Sequence, residues 1–465
     1  MSTFRFAARA GAVLGALAEF NHTSIQFRAR RRAGKGAALP ERESIPVLLV
    51  PGILGTTMVD PAHQNFPVWG NLRGSFFYRS KYDDLDLSIL PGAKNRLQPG
   101  GILWKYTLAS WLIYVPVYED FKQSLLYAGY ELGSLENPHS RRALYGLKYD
   151  WRCDIVTGAR AVEKAVDMLR SSLGVNRVHL VGHSWGCLIS RYYIRYGGAD
   201  VLCDQPEEAR PGASNVETFL AVGPPFGGTL RAFHSIQYGY APGVSLGRPV
   251  APHHVASSPA AYQLLRYDPD AVIDAGGADT RLDLSDVETW KKLRWGPYRK
   301  NSFEALYARG RAHNPELNMK EMSTAVESFL SAALQRGRRL GEVMNKPAPQ
   351  DKSVRTVTYT SNNRHTLHKL VLKRSEGSFH VLSSEKAVRK HFPALVDQTI
   401  APGDEHVTFN DVLKHSGSRT IATDAHEIPK GSYVLVTDSR SHRGLFTRET
   451  VLTNLLLNVD RQIKS

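Results

Sequence analysis

Ser184 stands in Gly-His-Ser-Trp-Gly (182–186), directly after the apolar run Val178-His179-Leu180-Val181 and directly before a helix-like stretch, Cys187 to Tyr196. A serine between two glycines at a sharp strand-to-helix turn has its hydroxyl pushed out of the sheet. There a base can reach it and make it a nucleophile for acyl transfer. With 38 glycines in 465 residues the pentapeptide alone is a weak signal, and the chain holds a second match, Gly243-Val-Ser245-Leu-Gly247. That one follows Tyr238-Gly-Tyr-Ala-Pro242 and runs into Arg248-Pro249, so no strand enters it and a proline blocks the helix that should leave it. Context selects Ser184.

A nucleophilic serine needs a base, an acid that orients the base, and donors for the developing oxyanion. After Tyr433-Val-Leu-Val-Thr437 comes Asp438-Ser-Arg-Ser-His442, which places His442 in the loop leaving the last predicted strand. His426, before that strand, is its rival among 17 histidines. Asp404, in Ala401-Pro-Gly-Asp-Glu-His406-Val-Thr408, occupies a turn upstream of the histidine and is the candidate acid, with Glu405, Asp397 and Asp438 as competitors. The oxyanion would meet the backbone N–H of Trp185 and one from Val50-Pro-Gly-Ile-Leu-Gly55, at Ile53 or alternatively Leu54.

The elements that must position these groups are legible as alternating periods. Strand-like runs at 45–50, 144–149, 178–182 and 218–222 alternate with helix-like runs at 117–130, 159–173 and 187–196. Near-continuous apolar strands separated by helices predict a mostly parallel, doubly wound α/β sheet covered on both faces. The pattern resumes at 353–360 and 433–437, and 446–463 closes the chain as an amphipathic helix. The chain order nucleophile, acid, histidine is that of an α/β-hydrolase. Regularity fails at about 58–116, rich in aromatics, Gly and Pro, and at about 229–350, which contains a helical run at 319–343. Excursions of that length read as lid or cap insertions in a single domain spanning 41–465.

The composition, 42% hydrophobic and 22% charged, is that of a globular protein, and no apolar stretch reaches the length of a membrane span. The net charge of +15 is uneven. Residues 1–36 carry Arg5, Arg9, Arg28, Arg30, Arg31, Arg32 and Lys35 against Glu19, so residues 1–40 read as a basic flexible leader that could also contact an anionic membrane surface. Nothing suggests nucleic-acid readout. The short apolar run 10–18 leaves export as an alternative to a cytoplasmic or peripheral-membrane location. Three cysteines, Cys153, Cys187 and Cys203, form no C-x-x-C pair. His365-x-x-His368 lacks a neighbouring ligand pattern, so neither a metal nor another cofactor is expected.

Taken in order, the motifs resemble the lecithin:cholesterol acyltransferase family and its phospholipid:diacylglycerol acyltransferase-like relatives. The resemblance rests on Val50-Pro-Gly-Ile-Leu-Gly55, the helix from Val117 to Tyr130, the signature Tyr149-Asp150-Trp151-Arg152 and the serine turn. It continues through Gly223-Pro-Pro-Phe-Gly-Gly-Thr229, Ser258 to Leu265, and Gly403-Asp404 with Val407-Thr408. Two positions depart from the pattern: Trp185, where leucine commonly follows the serine and where an indole would narrow the pocket, and Lys148, where proline often precedes the signature. The first excursion has no cysteines, so the lid disulfide of the animal enzymes is ruled out.

The resemblance implies a serine-dependent lipid acyl hydrolase or O-acyltransferase. Its substrate would be a phospholipid or acylglycerol ester, with water or an alcohol as acceptor. The lid or acyl-contact surface would fall at Trp69, Phe76, Phe77 and Tyr78, and Asp150 with Arg152 would be a supporting pair. The alternatives are a carboxylesterase or thioesterase for small substrates and a catalytically silent lipid-binding protein on the same fold.

Overall fold

The computed structural model describes residues 44–70, 85–90, 95–108, 113–240, 250–375, 378–439 and 441–460. The basic segment 1–36, the aromatics Phe76, Phe77 and Tyr78, and the second serine motif at 243–247 lie outside the described residues.

Eight strands make the central sheet: β1 (Val47–Val50), β2 (Glu131–Leu132), β3 (Ala143–Gly146), β4 (Val178–His183), β5 (Val216–Val222), β6 (Arg355–Ser361), β7 (Ile421–Ala422) and β8 (Tyr433–Thr437). Their spatial order is β7-β8-β6-β5-β4-β1-β3-β2, and every neighbouring pair is parallel. Every residue of β1 and β4 is buried. Strands closed to water on both faces have no use for polar alternation, which is why these two read as continuous apolar runs.

Helices α1 (Glu119–Tyr127), α2 (Ile155–Leu173) and α3 (Trp185–Tyr196) connect the strands. Asp154 caps α2 by accepting from Val156 N–H, and Gly174 ends it at φ 61°. Two glycines set the spacing around α3. Gly158 of α2 faces Ile189, whose Cδ1 would lie 2.7 Å from an added Cβ. At Gly186 a Cβ would land on the Val50 carbonyl oxygen and lie 2.7 Å from that of Pro51, so only glycine lets α3 approach β1.

Two segments of the chain stand outside the central sheet. The first is built of antiparallel strands, Thr56–Asp60 between Phe66–Trp69 and Gln98–Ile102, together with the hairpin Lys105–Leu108 and Ile113–Pro116. The second is largely helical, with α4 (Leu230–Tyr238), α5 (Pro252–Ala256), α6 (Pro259–Gln263) and α7 (Met319–Asn345). It has a separate apolar core around Phe233, Tyr262, Trp290, Trp295, Leu330 and Leu334. Arg336 of α7 pairs with Asp154 at 2.7 Å and Asp200 at 3.1 Å, fastening this cap to the sheet domain.

A third excursion escaped the sequence pattern. Between β6 and β7 the chain forms Arg364–Leu367, paired antiparallel with Ile400–Gly403, and the hairpin Leu370–Ser375 and Ser378–Leu382. These strands are short and flanked by charge, so their alternation does not stand out from loop. Edge strands β2 and β7, two residues each, were missed for the same reason.

Gly186→Ala should destabilise the fold by about 1–3 kcal/mol through overpacking against the β1 backbone. A lower urea midpoint at unchanged m-value would show it; an unchanged midpoint would mean α3 does not need the close approach.

Candidate active site

Ser184 links β4 to α3 in a backbone conformation that L-residues rarely adopt, φ 51° and ψ −119°. Such a position costs about 1–3 kcal/mol and holds only where surrounding contacts enforce it. Its N–H donates to Val222 O at 2.9 Å, and Cys187 N–H donates to Ser184 O at 2.9 Å. On either side only glycine fits: a Cβ on Gly182 would lie 2.9 Å from Cys187 Cα, and Gly186 is barred by β1. Both glycines of the motif thus follow from the tightness of the turn.

His442 and Asp404 come together in the interior. Asp404 is 0% exposed, and its carboxylate accepts from His442 Nδ1 at 2.7 Å, Val407 N–H at 2.8 Å and His406 N–H at 3.0 Å. Burial raises its pKa, but the neighbouring His442 and the three N–H donors outweigh this and hold it below the ordinary carboxylate value. Nδ1 is turned to this carboxylate, and Nε2 is the remaining ring nitrogen. It is buried and has no hydrogen-bond partner among the described residues. His442 and Ser184 line the same cavity.

Three residues that the motif reading passed over hold this histidine. His406 stacks on the His442 ring at 4.5 Å between centroids and 8° between planes. Burial and the adjacent His442, Arg231 and Arg443 push its pKa far below the ordinary value, so the plate is neutral. His183 lies 5.2 Å from His442 on another side. Burial, reinforced by His442, pushes its pKa down to about 3. Tyr118 accepts from Gly52 N–H at 3.0 Å, and its hydroxyl lies 2.9 Å from His183 Nδ1. A neutral aromatic plate and a tyrosine acting through histidine leave no short-range sequence signal, although His406 sits inside the acid turn.

Loop 51–56 is held by its carbonyls. Tyr149 hydroxyl donates to Pro51 O at 2.5 Å, Trp69 Nε1 to Leu54 O at 2.9 Å and Trp151 Nε1 to Thr56 O at 3.0 Å. Leu54 takes φ 66°. Ile53 and Leu54 both line the cavity. The Ile53 and Trp185 amides have no acceptor among the described residues, leaving both available as donors.

Two expectations about side chains fail. Trp185 is 0% exposed and does not line the cavity, because α3 begins at this residue and directs its indole into the core; the pocket is not narrowed there. Trp69 is 1% exposed, packs edge-on against Trp151 at 6.3 Å, and supports the loop from behind instead of meeting acyl chain.

The rivals are placed elsewhere. His426, Asp438 and Asp397 are exposed, and Glu405 pairs with Arg364. Asp150 binds Arg152 at 2.7 Å, while Arg152 O accepts from Ser258 Oγ at 2.7 Å, so this pair ties the signature to the cap. The cavity measures about 1220 Å³ including its mouth, and Leu85, Val117, Val250, Val255, Ala261 and Leu264 give it an apolar wall.

Residues 109–273 match the family model for lecithin:cholesterol acyltransferase. The matched stretch contains the serine turn and the Tyr-Asp-Trp-Arg signature, and ends before Asp404 and His442. A solved structure described as the Tle4-Tli4 complex is 13% identical and superposes with a TM-score of 0.54, covering 90% of this chain and 98% of that one. This is a likeness of fold; the eight-stranded parallel sheet with its strand–serine–helix turn is itself the arrangement of an α/β-hydrolase. The mature Bacillus licheniformis lipase BlEst2 is 10% identical at a TM-score of 0.34, covering 91% and 93% of the two chains. A 2-hydroxy-6-oxo-6-phenylhexa-2,4-dienoate hydrolase from Rhodococcus sp. strain RHA1 is 12% identical at 0.27, covering 90% and 91%. Both scores are too low to argue from. A search of curated proteins finds no match.

The buried histidines give the chain a pH signature. His183, lowered to about 3, stays neutral when folded but takes a proton below its ordinary 6.5 when unfolded. The unfolded state therefore binds more protons, and stability falls as pH drops from about 6.5 toward 3, by up to about 1.4 kcal/mol per pH unit for this one group. Urea unfolding between pH 7.5 and 5 should show this slope, and His183→Gln should flatten it. An identical slope in the variant would mean His183 titrates normally in the folded chain.

Proposed function

We propose that the protein is a serine-dependent acyl hydrolase or O-acyltransferase that acts on lipid acyl esters through an acyl-enzyme. The observation that carries this reading is the 2.7 Å contact of Asp404 with His442 Nδ1, with the unpartnered Nε2 of that ring buried beside the cavity that Ser184 lines. In this reading His442 Nε2 takes the Ser184 hydroxyl proton as Oγ attacks the ester carbonyl. The oxyanion forms against the amides of Ile53 and Trp185. Collapse breaks the ester C–O bond, and the leaving alcohol departs with the proton from His442. Water then releases a fatty acid, or an acceptor alcohol gives a new ester, with His442 again moving the proton.

The apolar wall of the cavity, together with the family match, favours lipid over small esters. How far the cap keeps water out decides between hydrolysis and transfer.

A fluorophosphonate should label the protein at one site, mapped by mass spectrometry to Ser184, and Ser184→Ala should not label. Lipid extracts incubated with the protein, with and without added diacylglycerol or sterol, should gain free fatty acid or acylated alcohol. Asp404→Asn should cut kcat by roughly 10⁴-fold with the fold intact. No labelling would overturn the reading in favour of a silent lipid-binding protein, and turnover that falls as the acyl chain lengthens would favour a small-ester hydrolase.

A further inference from the structure

The cavity wall has an unbalanced charge. Arg231, in the first turn of α4, and Arg443, directly after His442, both line it. Among the described residues no aspartate or glutamate does. Several buried or half-buried arginines elsewhere are matched with acids, Arg142 with Asp460, Arg152 with Asp150, Arg191 and Arg195 with Asp351, Arg266 with Asp268, while Arg448, away from the cavity, also has a buried Nε without a partner among the described residues. Arg231 and Arg443 make no ion pair and no side-chain hydrogen bond among the described residues, and Arg231 Nε is buried without a partner. Asp404, which binds His442, is fully buried and already accepts three N–H bonds.

Both arginines line the one cavity that Ser184, His406 and His442 also line. Both add to the field that keeps His406 neutral, and Arg443 also acts on His183 and Tyr118. His406 stacks on His442, so this positive region adjoins the reacting centre. Two partly buried guanidinium groups on one cavity wall, neither ion-paired among the described residues, favour an anion in the cavity. Guanidinium forks suit a phosphate or carboxylate, which they can grip in two-point fashion.

We infer that Arg231 and Arg443 form an anion subsite beside the reacting serine, which selects acyl esters bearing a phosphate or carboxylate close to the scissile bond. This rests on the acyl-ester reading of the cavity and deepens it, since an apolar pocket alone would accept neutral acylglycerols equally. The group is bound by charge, and the subsite adds no chemical step.

The test separates binding from turnover by using Ser184→Ala throughout, with calorimetry below the critical micelle concentrations. One pair of probes is dioctanoyl phosphatidylglycerol against dioctanoylglycerol, which share acyl chains and differ by the phosphodiester headgroup. A second pair is mono-octyl glutarate against its methyl ester, which differ by the carboxylate.

At least one anionic probe should bind tenfold or more tighter than its neutral partner, and the pair that does so identifies the anion. Adding Arg231→Gln or Arg443→Gln should shrink that ratio at least fivefold, and Arg231→Lys should restore part of it. Circular dichroism checks that each variant is folded, and either arginine variant alone suffices. Equal binding within both pairs, or a preference that survives both glutamine variants, would overturn the subsite. A preference without fluorophosphonate labelling of the wild-type chain would instead leave the subsite standing and remove the acyl-transfer reading.

Discussion

The site depends on placing one carboxylate against one imidazole where water cannot intervene. Asp404 and His442 are 38 residues apart, and neither belongs to a sheet strand. An unpaired charge on a fully buried carboxylate would be costly, so the chain surrounds Asp404 with three N–H donors before it can serve anything else. Two of these come from its own turn. That turn is closed by Asp404 N–H donating to Val407 O at 3.2 Å, and Glu405 takes φ 83° to make it. The strand pair Arg364–Leu367 and Ile400–Gly403 delivers the turn, and Thr229 Oγ1 hydrogen-bonds His406 O from the start of the cap. The third excursion can therefore be understood as the scaffold of the acid.

The other half of the site is built on restraint of backbone. A loop that must offer an N–H inward cannot spend that group on its own secondary structure, so something else must fix it. Here the carbonyls of Pro51, Leu54 and Thr56 are held by Tyr149, Trp69 and Trp151, and the amide of Gly52 by Tyr118. The Tyr149-Asp150-Trp151-Arg152 signature thereby acquires a physical meaning. Its two aromatics grip the loop from one side while Asp150 and Arg152 tie the same segment to Ser258 of the cap.

What the sequence disclosed follows from the range of each signal. The turn at Ser184 was legible because strand, glycines and helix are contiguous and each is required by contacts within a few residues. The buried runs of β1, β4 and β5 were legible because burial on both faces erases alternation. The place of His442 after the last strand was legible because that strand is well marked, whereas its contact with Asp404, one of four acids considered, was not, since it joins residues 38 apart. His406 and His183 were passed over because stacking and enforced neutrality are properties of the folded neighbourhood. The misplacement of Trp69 and Trp185 has the same origin: residue type announces a large apolar surface but not which way it faces.

The cap and the sheet domain are joined by directional contacts and not by a shared apolar core alone. Arg336 reaches Asp154 and Asp200, Ser258 reaches Arg152, Gln263 reaches Asp154, and Thr229 reaches the acid turn. The cavity lies along this seam, so its walls come from both sides: Ile53, Ser184 and His442 from the sheet domain, Arg231, Val255 and Leu264 from the cap. A substrate entering here touches the reacting group and the cap together. Fixing the cap by hydrogen bonds and ion pairs limits how freely water enters the seam, and under the proposed acyl-enzyme reading that quantity would set the competition between water and an alcohol for the acyl group.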